Sequence, residues 1–298
     1  MTNLIDPRPR AIAPELTVGP IGYGCWRLVA MSPADAQLRL EQAIAQGINL
    51  IDTADVYGLD WGGSAFGESE ALLGLVLKQA PGLRGNIVLA SKGGIVPGVP
   101  YDSRNLIASC EASLTRLGVE QIDLYQIHRP DLLAHPEQVA AQLSALRETG
   151  KIQAVGVSNH RPSQTAALQH FLDFPIATQQ PQYSAAHLTP LFDGTFDQCL
   201  QLGQTALCWS PLAGGRLATG TDVAPALLAV LDRLAERESV SRSTIALGFT
   251  LAHPSNPVTL IGSIDPARIA ESKAVLSVQL DATDIYALIE ASMGESLP

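Results

Sequence analysis

A chain of 298 residues is too long for a minimal domain and near the upper limit for one continuous core. It is 46% hydrophobic and 16% charged, and its 19 basic against 29 acidic residues leave a formal charge of −10. Such a chain, with no Lys/Arg-rich segment, is poorly suited to holding nucleic acid or an anionic membrane. No apolar run approaches the roughly 20 residues that cross a bilayer. The start, MTNLIDPRPRAIAP, is broken by Asp6, Pro7 and Arg8, so it lacks the apolar core of a signal peptide. Cys25, Cys110, Cys199 and Cys208 have no CxxC spacing and read as reduced thiols, which fits a soluble cytoplasmic protein, monomeric or weakly homo-oligomeric.

In chain order, the 10 to 15 residues ahead of the first apolar run leave room for a hairpin. PIGYG (20–24) is the first strand. MSPADAQLRLEQAIAQG is a helix with Ser32 as its cap, Pro33 at its first position and Gly47 as its stop. NLID (49–52) and NIVLAS (86–91) are the second and third strands. Ser103 then caps a helix in which Leu106, Ile107, Cys110, Leu114 and Leu117 recur at helical spacing before Gly118. IDLYQIH (122–128) is followed by the helix HPEQVAAQLSALRETGK, ending at Gly150. IQAVGVS (152–158), PIATQ (175–179), TALCWS (205–210) and PVTLIG (257–262) complete eight strand candidates, nearly all separated by helical patterns.

Continuous apolar strands alternating with helices imply parallel pairing with both faces covered. Eight such units in one unbroken domain, residues 1–298, fit an α/β (β/α)8 TIM barrel, with the N-terminal hairpin closing its bottom. A doubly wound sheet is the competing fold, but GYGCWR after the first strand lacks the third glycine of GxGxxG, and GGSAFG fails the spacing too.

In a barrel, chemistry belongs where the strands end and the βα loops begin. The second strand ends in Asp52, with Tyr57 in the following loop; the third leads to Lys92 and the fourth to His128. Each has an ordinary alternative: a strand-end Asp caps, a Lys is solvated, a His satisfies a local hydrogen bond, a loop Tyr packs. Together, on strands about 4.8 Å apart, they make a coherent device. A tyrosine ionises near 10, about three units above neutrality, and an adjacent lysine cation favours its phenolate. Asp52 would hold Lys92 charged, and His128 would orient a carbonyl oxygen while the phenol acts as general acid. Asp55 and Asp60 read as solvated or capping residues. The histidines have no HExxH or paired spacing, so no metal is expected.

IDTADVYG, LASKGG, IDLYQIH, GVSN, WSPLAGGRL and IGSIDPARIAES resemble, in order and spacing from about residue 19 to 276, the signatures of the aldo-keto reductase superfamily. HRPD and WSPLAGGRL point to its bacterial oxidoreductase branch. The resemblance implies a TIM barrel that binds NADPH and reduces aldehydes or ketones, with Asp52, Tyr57, Lys92 and His128 as the catalytic tetrad and Tyr57 as proton donor. It further implies that Ser158, Asn159 and Gln180 meet the cofactor's carboxamide and that Trp209 lies under the nicotinamide. Ser210, Pro211, Leu212, Gly214 and Arg216 would face the phosphates. Gly262, Ser263 and Arg268 would lie at the adenosine 2′-phosphate and Glu271 at the adenine.

Two positions depart from that pattern: Gly262 stands where lysine is common and Ser272 where asparagine is common. NADPH nevertheless fits better than NAD because Arg268 is retained. For the small-molecule carbonyl substrate, the resemblance places Trp26 and Arg129 at the pocket mouth, although Arg129 could instead pair with Asp131. Trp61 and Phe66 would form a wall. Two other classes share these features: a Schiff-base lyase using Lys92, and a cofactor-bound regulatory subunit with little turnover.

Overall fold

The structure, a computed structural model, describes residues 2–59, 62–99 and 101–297. The expected hairpin is formed by β1 (Arg10–Ala13) and β2 (Leu16–Val18), antiparallel, with Glu15 in the left-handed region at the turn. Eight parallel strands then close into a barrel in chain order. They are β3 (Ile21–Gly24), β4 (Leu50–Asp52), β5 (Val88–Gly93), β6 (Ile122–Ile127), β7 (Ile152–Ser158), β8 (Thr178–Gln180), β9 (Thr205–Cys208) and β10 (Val258–Ile261), with β10 pairing to β3.

Helical segments connect each barrel strand to the next and form the outer layer. The helix Pro33–Ala45 starts as the sequence indicates: Ser32 accepts from the Asp35 backbone N–H at 3.1 Å and Pro33 takes the first helical position. At the next expected cap the residue differs by one. Asp102, not Ser103, accepts from Arg104 N–H and opens a short 3-10 turn (Ser103–Asn105) ahead of the helix Leu106–Leu117. A carboxylate is well suited to the N–H groups of a first turn.

The strands' alternation divides the interior into layers. Leu50, Val88, Ala90, Leu124, Ala154, Leu207, Val258 and Leu260 form an apolar cluster with Ile12, Leu16 and Val18 of the hairpin, so the hairpin seals the bottom. The other face of the strands, with Tyr23, Ile51, Leu89, Tyr125 and Val155, packs in a second cluster with the helices. Followed upward, the inward positions change from Leu50 to Asp52 and from Val88 and Ala90 to Lys92. Likewise Leu124 gives way to Gln126 on β6. The barrel therefore has an apolar floor and a polar upper layer, and the site stands on that layer.

The four cysteines are buried free thiols, and burial raises each above the ordinary thiol range. That makes them poor nucleophiles.

Candidate active site

Register brings the polar layer together. Asp52 is the last residue of β4, Lys92 pairs across to Gln126, and Ser158 pairs to Gln180. Lys92 is fully buried and its ammonium has three partners: Asp52 Oδ2 at 2.7 Å, the Thr53 carbonyl at 2.9 Å and the Tyr57 hydroxyl at 3.2 Å. All three ammonium donors are satisfied. Burial alone would drive Lys92 toward neutrality; the Asp52 carboxylate and the Tyr57 oxygen outweigh it and hold the side chain charged, above the usual lysine range.

Tyr57 balances differently from the sequence expectation. Burial pushes its phenol above the ordinary value, and the Lys92 cation opposes that without overcoming it. Tyr57 is thus fully protonated at neutral pH, and its ammonium neighbour stabilises the phenolate left when the proton departs. His128 follows β6, its ring edge-on to Tyr57 with centroids 5.7 Å apart. Burial, then the charges of Lys92 and Arg129, hold it well below the usual histidine range, so it is a neutral imidazole. Its Nδ1 has no hydrogen-bond partner among the described residues.

The other Asp52 oxygen reveals a residue that motif reading passes over. Oδ1 accepts from Gln126 Nε2 and from Gln180 Nε2, both at 3.1 Å, and Gln180 Nε2 also reaches Gln126 Oε1 at 3.3 Å. Gln126 is fully buried inside the strand stretch IDLYQI. A polar residue at an inward position among apolar neighbours was the available signal. Gln180, expected at the carboxamide, has both amide hydrogens directed at this lower layer.

The remaining rim residues form one linked group. Ser158 Oγ donates to Gln180 O at 3.0 Å, and Asn159 Nδ2 donates to His128 O and to Ser158 Oγ. Trp209 Nε1 donates to Asn159 Oδ1 at 3.1 Å, and the half-buried indole rests on the barrel's interior cluster. Asn159 and Ser210 both occupy the left-handed region, a conformation that non-glycine residues adopt at a cost. After Ser210, the N–H groups of Ala213, Gly214 and Gly215 bond within their own loop. The Arg216 guanidinium reaches the Ala213 and Asp222 carbonyls. Pro211 and Leu212 lie in the same turn, and Gly214 needs its positive φ of 74° there.

Beyond β10, Ser263 Oγ accepts from Asp265 N, and exposed Arg268 makes a 3.7 Å contact with Asp265. Glu271 accepts from Thr244 Oγ1 at 3.4 Å. Ser272 is buried with its hydroxyl donating to Ile269 O, so it faces the helix interior.

Of the residues expected at the pocket mouth, Trp26 lies just past β3 and stands against Gly262, the residue that follows β10. Arg129 is exposed and does not pair with Asp131, whose carboxylate accepts from the Ser103 and Leu133 N–H groups. Among the described residues Arg129 forms no ion pair. Phe66 lies under the Arg116 guanidinium, 5.9 Å from its ring centroid; Asp60 and Trp61 lie outside the described residues. Asp55 is not a solvated residue. It is buried, 1% exposed, with no well-formed hydrogen bond to either carboxyl oxygen among the described residues, and its N–H donates to Lys92 O. Among the described residues no group of His, Cys, Asp and Glu side chains is placed to hold a metal, and no helix is long and apolar enough to cross a membrane.

Residues 20–292 match the Aldo/keto reductase family. The chain belongs to that family. This aldo/keto reductase is 46% identical over 288 residues to a 6-dehydroglucose reductase of Novosphingobium aromaticivorans, covering 95% of this chain and 94% of that one. It is 33% identical to a 6-dehydroglucose reductase of Agrobacterium fabrum (96% and 98% covered) and 33% identical to the oxidoreductase YdhF of Escherichia coli (96% of each). The crystal structure of a thermostable aldo-keto reductase in complex with the inhibitor epalrestat superposes with a TM-score of 0.79 at 23% identity, covering 93% and 96% of the two chains, a likeness of fold. Membership places the chain among oxidoreductases that act on carbonyl compounds. The charge held on Lys92 disfavours the Schiff-base alternative, because an amine that attacks a carbonyl must be deprotonated.

Proposed function

We propose that this aldo/keto reductase uses NADPH to reduce an aldehyde or ketone to an alcohol, with Tyr57 as general acid. The observation that carries this reading is Lys92, placed between Asp52 and the Tyr57 hydroxyl at 2.7 and 3.2 Å. The donor set suits the cofactor: amide and hydroxyl groups at Ser158 and Asn159, a half-exposed indole at Trp209, and cationic Arg268 beside Ser263. When bound, the nicotinamide supplies hydride to the carbonyl carbon.

The chain's own residues do the rest. A carbonyl oxygen held near Tyr57 and His128 accepts a hydrogen bond from each. As charge develops on that oxygen, the Tyr57 proton moves to it, since an alkoxide is a much stronger base than a phenolate. The Lys92 ammonium compensates the phenolate charge at short range in a site of low dielectric. Asp52, held by two glutamine amides, keeps the ammonium aimed. Neutral His128 donates without itself competing as an acid.

For the substrate, a sugar aldehyde such as 6-dehydroglucose comes first, on the strength of the 46% identity to a reductase named for it. Arg129, exposed beside His128 and without an ion pair among the described residues, favours a second reading, a carbonyl compound carrying a carboxylate or phosphate. Loss of NADPH absorbance with 6-dehydroglucose, simple aldehydes and anionic aldehydes separates the two. Turnover with none of them, while NADPH still binds, would favour a regulatory role instead.

A further inference from the structure

Position 262 has glycine where the family resemblance leads one to expect lysine, and its surroundings leave no room for a side chain. A Cβ there would come within 2.6 Å of Trp26 Nε1, so no longer side chain enters without displacing the indole. The segment is built around other cations. Three consecutive carbonyls are each held by a side chain, one from β3, one from the turn after it and one from the helix Pro33–Ala45. Arg27 Nη1 donates to Gly262 O at 3.3 Å, the Tyr23 hydroxyl to Ser263 O at 2.9 Å and Arg39 Nε to Ile264 O at 2.7 Å. These bonds pin the segment and bring two guanidiniums to one that already carries Arg268.

Neither Arg27 nor Arg39 forms an ion pair among the described residues. Among the described residues the ion contact of Arg268 is the 3.7 Å one with Asp265, whose carboxylate also accepts from Ala267 N–H. In a chain with 29 acids against 19 bases, arginines without carboxylates around one loop are unusual. Arg27 is steadied by Trp26, its guanidinium carbon 4.5 Å from the ring centroid. Burial, and then the charge of Arg268, lowers the Arg27 guanidinium from its ordinary value, so the two cations sense each other. An anion between them relieves that repulsion, and guanidinium groups suit phosphate geometry.

We infer that Arg27, with Arg39 and Arg268, forms a phosphomonoester site for the adenosine 2′-phosphate, Arg27 supplying the charge that a lysine at position 262 would otherwise bring. The inference rests on the nicotinamide-dinucleotide reading above, and the experiment separates the two. Calorimetry measures binding of adenosine 2′,5′-bisphosphate and of 5′-AMP to the whole protein and to Arg27→Gln, which keeps an amide donor but removes the charge. The expected result is tighter binding of the bisphosphate by the native protein, with Arg27→Gln weakening it tenfold or more and leaving 5′-AMP within twofold. Arg27→Lys should retain most of the preference. If the native protein prefers the bisphosphate and Arg27→Gln keeps that preference, the inference is overturned and the cofactor reading stands. Equal weakening of both nucleotides also overturns it, because Arg27 then serves only the loop or the shared 5′ end. If the native protein binds neither, both fail. Should Arg27→Gln not fold, judged by circular dichroism, Arg39→Gln is expected to lower bisphosphate affinity at least threefold with 5′-AMP unchanged, and no change would overturn the inference.

Discussion

Gln126 donates its side-chain amide to Asp52 Oδ1 at 3.1 Å, reaching from β6 past β5 to the end of β4. With Gln180 on the same oxygen, it directs the other carboxylate oxygen to Lys92. A hydrogen bond to a charged group contributes about 1.5–3 kcal/mol. Gln126→Leu is therefore expected to lower kcat roughly tenfold or more with KM and cofactor affinity little changed. It should also shift the alkaline limb of the pH profile, because a misaimed ammonium no longer supports the phenolate. Steady-state kinetics across pH is the check; an unmoved profile would make Gln126 a packing residue only.

Lys92 and Asp52 form a buried pair, 0% and 4% exposed by side chain. Removing one charge leaves the other uncompensated, at a cost of about 3–5 kcal/mol. Lys92→Met should accordingly lower the urea midpoint well below that of the native protein. The double variant Asp52→Asn/Lys92→Met should recover much of the loss, although neither should reduce a carbonyl.

Asp55 predicts a pH effect of defined sign. Burial, and next the nearby Glu70, raise its carboxyl well above the ordinary value, while Arg116 and Lys92 oppose this. A group whose pKa is raised in the folded state contributes stability below its unfolded value, about 4, and loses that contribution as pH rises through its folded value. Asp55→Asn imitates the protonated form. Its Tm should exceed that of the native protein at pH 7–8, and the gain should shrink toward zero near pH 4. A gain independent of pH would contradict the assignment.

Gly93 on β5 faces Tyr125 so closely that a Cβ would overlap the phenolic hydroxyl. Gly93→Ala should destabilise by about 1–3 kcal/mol. Tyr125→Phe in the same chain should restore part of that, since the offending oxygen, which has no hydrogen-bond partner among the described residues, is gone. Chemical denaturation of the two single variants and the double variant tests the coupling.

The barrel, and the gathering of Asp52, Tyr57, Lys92 and His128 at its rim, were legible in the sequence because strands buried on both faces write themselves as apolar runs whose polar ends stand out. β8 is the instructive exception. The apolar run PIATQ suggests a strand at 175–179, whereas the strand is Thr178–Gln180, polar and fully inside. Pro175 has no N–H to give, and Ile176 N–H is taken by Gln169 Oε1. Gln126 does not stand out in the sequence, because apolarity marks that strand too. Asp55 reads as solvated in the sequence because an acid in a loop usually meets water, whereas the fold buries it. Arg27 and Arg39 join the segment after β10 only through ring closure, with more than 220 residues between partners, a proximity that local pattern does not record.

The most direct test of the central claim, that Tyr57 donates the proton under Lys92's influence, is Tyr57→Phe assayed by loss of NADPH absorbance with an aldehyde, alongside NADPH binding by fluorescence quenching. General acid catalysis typically contributes about 10²–10⁴-fold, so reduction should fall at least a hundredfold while the NADPH dissociation constant stays within about threefold. Turnover equal to that of the native enzyme would contradict the assignment.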